Sequence, residues 1–248
     1  MISRRRFIAA GASGLLLGGC DRLNNSAQFR GLLRSAEKLN MGAQRLIAPR
    51  DALAREYGEA SMSPIFRSNG TSMPNTSEYA QHVAEKFANW RLIVDGMVAR
   101  PMSIPLQTLR ATPHRVQITR HDCVEGWSAI GKWHGVPLSM ILDAAGLSTR
   151  ANYIVFHCAD RFGDKPYYES IDLIDAIHPQ TIIAFGMNGH LLPVPNGAPL
   201  RLRVERQLGY KHAKYIQRIQ AVESLAGLYG GKGGYWEDND DYEWYAGI

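Results

Sequence analysis

Arg120-His121-Asp122-Cys123-Val124-Glu125-Gly126-Trp127-Ser128 follows directly on Arg115-Val116-Gln117-Ile118-Thr119, where apolar and polar residues alternate. Alternation at period two predicts a strand, and the glycine-containing run after it predicts a loop. Cys123 therefore stands where a strand opens into a loop, a position that presents a side chain to a pocket. Arg120 and His121 beside it are expected to lower the thiol pKa from its usual value of about 8.5. A thiolate is a soft ligand suited to a metal centre. The rival use is nucleophilic catalysis with His121 as base, since residues two apart on a strand share a face. No Cys-x-x-Cys or His-Glu-x-x-His spacing points to zinc.

A second constellation lies downstream, Asn196-Gly197-Ala198-Pro199-Leu200-Arg201-Leu202-Arg203-Val204, followed by Gly209-Tyr210-Lys211-His212-Ala213-Lys214-Tyr215. On a strand, Arg201 and Arg203 share one face and Leu200, Leu202 and Val204 the other. With Lys211, His212 and Lys214 the arginines form a cationic cluster suited to a phosphate. The bland alternative is a solvated strand face paired to Glu205.

These two segments, His121 to Ser128 and Asn196 to Arg201, resemble the sulfite-oxidase-fold molybdopterin oxidoreductases, in particular their methionine-sulfoxide reductase branch, from about residue 60 to 222. The resemblance implies an α+β fold: a single sulfite-oxidase-type molybdopterin-binding domain of mixed, mostly antiparallel sheets with peripheral helices. It implies a molybdenum-molybdopterin cofactor, with Cys123 as the molybdenum ligand. Pterin contacts map to Asn196 and Arg201, to His212, Ala213 and Lys214, and to Asn69, with Ser72 and Met73 following it. Arg201, Lys214 and His212 are expected to hold the pterin phosphate. Cys158 stands where the family has a threonine pocket contact, a departure that bears on the substrate. Tyr167 and Tyr168 are candidates for lining the substrate pocket.

The activity implied is two-electron oxygen-atom transfer, reducing an S-oxide or related oxo substrate, small or protein-bound, with electrons from a membrane b-type cytochrome or another carrier. One alternative is sulfite-dehydrogenase-type oxidation, for which Arg120 and Arg161 are the candidate cations. Another is a cofactor-free binding protein with a Cys123–Cys158 disulfide, the bland reading of two cysteines in an oxidising compartment. The extra β-sandwich domain through which sulfite oxidases dimerise is not expected, so the resemblance implies a monomer.

The N-terminus predicts where the protein works. Ser3-Arg4-Arg5-Arg6-Phe7, a short apolar run and small residues before Cys20 read as a twin-arginine signal peptide over residues 1–19. Leu17-Gly18-Gly19-Cys20 resembles a lipoprotein cleavage box, so the expected location is the periplasm, with a lipid anchor at Cys20 holding the chain to the inner membrane. The net charge of +5 falls to +2 without Arg4, Arg5 and Arg6, because 25 basic residues then face 23 acidic ones. Nucleic acid is therefore not an expected partner.

Residues 20–60 read as a helical lead-in, with Phe29, Leu32, Leu33, Ala36 and Leu39 at helical spacing, and 61–248 as the oxidoreductase domain. Residues 61–76 read as a long ordered loop of the kind that carries function. Strands are predicted at 90–96, 115–120, 153–157, 181–185, 200–204 and 215–222, and helices near Leu106–Leu109, Pro137–Ala145 and Ile171–Ile177. Asn188-Gly189 signals a hairpin. In the tail, Trp236, Tyr242, Trp244 and Tyr245 predict docking on the body rather than disorder.

Overall fold

A computed structural model describes residues 26–248. The signal peptide and Cys20 lie outside the described residues. The chain divides into two units, one up to Pro49 and one from Arg50 to Ile248. In the first, helix α1 (Ala27–Ile47) is capped by Ser26, whose hydroxyl accepts from the Phe29 amide at 3.4 Å. This is the amphipathic helix predicted for the lead-in. Residues 50–60, assigned to the lead-in from sequence, instead belong to the second unit. There the Tyr57 amide donates to the Ile118 carbonyl at 2.9 Å, and Ala54 is held by the Gln180 amide.

The second unit is built on two sheets. The first has the order β2-β1-β10-β5-β6, from β1 (Arg91–Gly96), β2 (Met102–Pro105), β5 (Tyr153–Phe162), β6 (Lys165–Asp172) and β10 (Ile216–Val222). The second runs β3-β4-β7-β8, from β3 (Arg115–Asp122), β4 (Ser128–Pro137), β7 (Ile182–Met187) and β8 (His190–Leu191), with β9 (Arg201–Arg203) paired to β7. Among the described strands only β1 and β10 pair in parallel; the other pairings are antiparallel. The helices are short: α2 (Ser77–Ala84), α3 (Leu106–Ala111), α4 (Leu138–Ala145), α5 (Leu173–Ala176) and α6 (Tyr235–Asp240). Leu92, Val94, Leu138, Leu142, Ile154, Phe156, Leu200 and Ile219 are all buried in the main core. The α+β, mostly antiparallel expectation holds.

Strand β3 buries its polar face. Gln117, Thr119 and His121 are buried while Val116 is exposed. The reason lies opposite. Gln117 donates to Glu205 at 2.8 Å and to the Gln180 carbonyl at 3.0 Å, and Arg203 of β9 reaches His121 Nδ1 at 2.9 Å. Polar faces of β3 and β9 thus meet inside the second sheet, where Gln117, Glu205, Arg203 and His121 Nδ1 bond one another while Thr119 Oγ1 and His121 Nε2 stay unpartnered.

Strand β5 carries the other local device that shapes the site. Its register against β6 shifts between His157 and Arg161, and that of β10 shifts opposite, between Ile216 and Arg218. A bulge re-aims side chains. Here it falls at Cys158-Ala159-Asp160.

Candidate active site

Cys123 follows β3 in a tight turn. Its amide donates to the Trp127 carbonyl at 2.9 Å, and its own carbonyl accepts from Gly126 at 3.0 Å. The thiol lines a cavity of about 140 Å³ together with Asn69, Gly70, Thr71, Glu125, Asp160, Tyr167, Tyr210, His212 and Lys214, among others. The sequence-predicted residues Asn69, Cys123, Tyr167, His212 and Lys214 therefore converge. Burial raises the Cys123 pKa, opposed by the Val124 and Glu125 amides and by the charge of Arg201. The expected lowering by its two neighbours is absent for a geometric reason. Arg120 points outward and pairs with Asp122 at 2.9 Å. His121 turns inward, where burial first, then the nearby imidazole of His212 and the charges of Arg203, Arg201 and Lys214, disfavour its protonation. Its Nδ1 already accepts from Arg203, so it is no base for Cys123.

Arg201 is completely buried. Its guanidinium donates to the Asn196 carbonyl at 3.1 Å and the Asn69 side-chain oxygen at 3.4 Å, while Nε finds no partner. Lys214 Nζ donates to the carbonyls of Asn69 (2.6 Å), Pro195 (3.1 Å) and Thr71. Both cations are held by neutral oxygens. Desolvation, then mutual repulsion with neighbouring arginines, lowers Arg201 to about 9 and Lys214 to about 7. Uncompensated buried charge is costly, and a bound phosphate relieves it. The residues present therefore fit the anionic end of a pterin cofactor. Asn196 lies behind Arg201 with its side-chain nitrogen unpartnered.

The remaining basic residues of the cluster offer the cavity no free charge. Arg203 forms a buried ion pair with Glu205 (2.9 Å from Nε), so the alternative pairing to Glu205 holds for this residue, inside the protein rather than on a solvated face. Lys211 is locked between Glu169 at 2.5 Å and Glu237 at 2.7 Å. His212 donates Nε2 to the Gln207 carbonyl at 3.0 Å and is kept neutral by burial, so it contributes no charge to a phosphate.

Several predicted contacts fall elsewhere. Tyr168 points away from the cavity because adjacent strand residues face opposite sides; its ring stacks on Tyr229 at 4.1 Å and its hydroxyl bonds Asp238. Ser72 and Met73 are exposed, and Gly70 and Thr71 take the cavity wall instead. Ala213 is buried, and its carbonyl accepts from the Leu202 amide at 2.8 Å. Cys158 is buried in the core, where desolvation pushes its thiol pKa well up. Cys123 and Cys158 are both free thiols, so the expected alternative of a disulfide between them does not form.

Asp160 was missed by the sequence reading. Placed by the β5 bulge, it is buried at the cavity with Oδ1 unpartnered, and desolvation raises its pKa to about 6 against the lowering pull of Lys214 and Thr71. The signal was an acidic residue following the apolar run Tyr153–Phe156 in one strand. The tail docks as its aromatic density predicted: Trp236 packs on Phe162 and stacks on Tyr242, and both Trp236 and Tyr242 line the cavity.

Comparison with known proteins agrees with this geometry. Residues 79–227 match the model of the oxidoreductase molybdopterin binding domain. A sequence from Azospira oryzae carrying the provisional name protein-methionine-sulfoxide reductase subunit YedZ1 is 36% identical over 94% of this chain and 82% of its own length. The protein-methionine-sulfoxide reductase catalytic subunit MsrP of Xanthomonas campestris is 36% identical over 64% of this chain, which spans about half (52%) of that relative. The crystal structure of the sulfane dehydrogenase SoxCD from Paracoccus pantotrophus shares the fold at a TM-score of 0.51 and 21% identity, over 55% of this chain and 39% of that one. With the Cys123 thiol and Lys214 on the wall of one cavity, and the buried Arg201 bonded to Asn69 of that wall, all three inside the matched region, the chain belongs to the oxidoreductase molybdopterin-binding domain family and is a molybdopterin-dependent enzyme.

Proposed function

We propose that the enzyme works in the periplasm and reduces an uncharged S-oxide or related oxo compound, with electrons from a membrane b-type cytochrome or similar carrier. The relatives' names support the reaction class. The observation that carries the choice of substrate is the charge of the cavity. Arg120 is exposed and paired to Asp122, and Arg161 is exposed with its guanidinium on the Asp164 carbonyl. Neither lines the cavity, whose carboxyls are Glu125 and Asp160 and whose one cation on the wall is Lys214. Such a lining favours a neutral oxo group over sulfite, which needs converging cations.

The cofactor, when bound, supplies a two-electron redox couple. Cys123 would hold the metal as thiolate, giving up the proton that burial otherwise favours. Arg201 and Lys214 would hold the phosphate. Turning a sulfoxide into a sulfide and water consumes two electrons and two protons. Asp160, a cavity-lining carboxyl with a raised pKa and an unpartnered oxygen, gives one of those protons to the departing oxygen, and solvent supplies the other. The N-terminal sequence supports export and a lipid anchor at Cys20. The test is a redox-dye assay across sulfoxides, N-oxides and sulfite. Turnover of sulfoxides without sulfite oxidation is expected; sulfite oxidation alone would overturn the reading.

A further inference from the structure

Five aromatic residues around the cavity touch in sequence. Tyr167 lies 5.9 Å from Phe162, Phe162 5.3 Å from Trp236, Trp236 5.8 Å from Tyr242 and Tyr242 5.1 Å from Tyr210, measured between ring centroids. The Tyr167 hydroxyl then donates to the Tyr210 carbonyl at 3.1 Å and closes the run into a collar. All five residues line the same cavity as Cys123. Two of them, Trp236 and Tyr242, come from beyond residue 227, where the family match ends.

The tail that brings them is fixed from beneath. Glu237, next to Trp236, is buried on Lys211, next to Tyr210, and Lys211 also holds Glu169 of β6. Gly234 passes so close that a Cβ there would stand 2.0 Å from the Glu237 carboxylate and 2.5 Å from Glu169. Asp238 gathers the glycine-rich approach by accepting from the Gly230 and Lys232 amides, each at 2.9 Å. The two tail rings are thus held by a buried ion-pair cluster rather than left on a loose terminus.

We propose that this collar selects the substrate, with Trp236 and Tyr242 as specificity-determining residues for sulfoxides that carry an apolar, preferably aromatic or thioether-like, substituent. This rests on the reductase reading given above. Ring edges and faces accept apolar groups and soft sulfur, and the collar's hydroxyls at Tyr167 and Tyr210 are already engaged, with the carbonyls of Tyr210 and Glu243. Besides the Tyr242 hydroxyl and the Trp236 indole N–H, what the collar offers a ligand is apolar ring surface.

The test uses the cofactor-loaded full chain and its Trp236→Leu and Tyr242→Leu variants, with molybdenum content and near-UV circular dichroism checking the fold. KM and kcat are measured for dimethyl sulfoxide and methyl phenyl sulfoxide. The KM for the aryl substrate should rise about tenfold more than that for dimethyl sulfoxide. An unchanged KM ratio, or equal loss of kcat on both, overturns the inference. Calorimetric binding of methyl phenyl sulfide, which needs no turnover, separates this inference from the reductase reading. If the wild type reduces no sulfoxide, that reading fails, while weaker sulfide binding by the variants than by the wild type still supports the collar. Equal binding, or none to the wild type, overturns it.

Discussion

Lys211 and Lys214, three residues apart, stand in opposite electrostatic surroundings. Lys211 sits between two buried carboxylates, which raise its pKa, whereas Lys214 is ringed by backbone carbonyls and falls to about 7. One is a structural rivet and the other a charge awaiting an anion.

Removing the rivet should unfold the tail or the domain. Lys211→Met leaves Glu169 and Glu237 buried against each other, a loss on the order of 3–5 kcal/mol. Chemical denaturation should show this drop, and proteolysis should nick the chain after residue 227 first. A variant as stable as wild type would remove the clamp from the account.

Arg201→Ala should weaken cofactor retention about 10- to 100-fold, because charge-assisted hydrogen bonds are worth roughly 1.5–3 kcal/mol each. Molybdenum and pterin per purified chain report it. Cofactor content equal to wild type in a folded variant would refute the phosphate seat.

Anion binding should also be linked to protons at Lys214. Its pKa of about 7 should rise when a phosphate binds beside it. Above pH 7, loading the cofactor-free protein should therefore take up a proton at Lys214 that offsets the one Cys123 releases, and calorimetry in buffers of different ionisation enthalpy reads the net exchange. Lys214→Gln should lose that uptake and show a larger net proton release than wild type.

Asp160 sets the direction of a pH profile. The acid form is the donor, and its pKa is raised to about 6. Turnover should fall as pH rises through about 6, and Asp160→Asn should lower kcat and lose that limb. A variant that retains the same pH dependence would show that another group gives the proton.

Export should depend on Arg4 and Arg5. Replacing both with lysine keeps the charge but removes a receptor-read address. Periplasmic protein should disappear on fractionation, and undiminished export would point to an ordinary secretory signal.

Much of this was legible because local pattern and tertiary role coincide. β3 shows period two, α4 ends at Gly146 in the left-handed conformation, and Asn188-Gly189 makes the β7–β8 turn, both with positive φ. β6 was not predicted, and the helix expected over Ile171–Ile177 runs only over Leu173–Ala176, because the polar Lys165, Glu169, Ser170 and Asp172 mask the strand; Glu169 is buried on a lysine 42 residues away. Long-range partners leave no periodic trace. Asp160 escaped for a related reason: the bulge that aims it at the cavity is a property of pairing, not of sequence. The choice between Tyr167 and Tyr168 turns on which face of β6 meets Cys123, and only the register decides that.

The central claim is that Cys123 supplies a thiolate to the molybdenum. X-ray absorption at the molybdenum edge tests it most directly, comparing the wild-type enzyme with Cys123→Ser. The serine hydroxyl is a harder, poorly ionised ligand, so the variant should retain pterin, show one fewer sulfur neighbour at the metal and lose turnover. The same number of sulfur neighbours in both proteins, or full activity in the variant, would contradict the account.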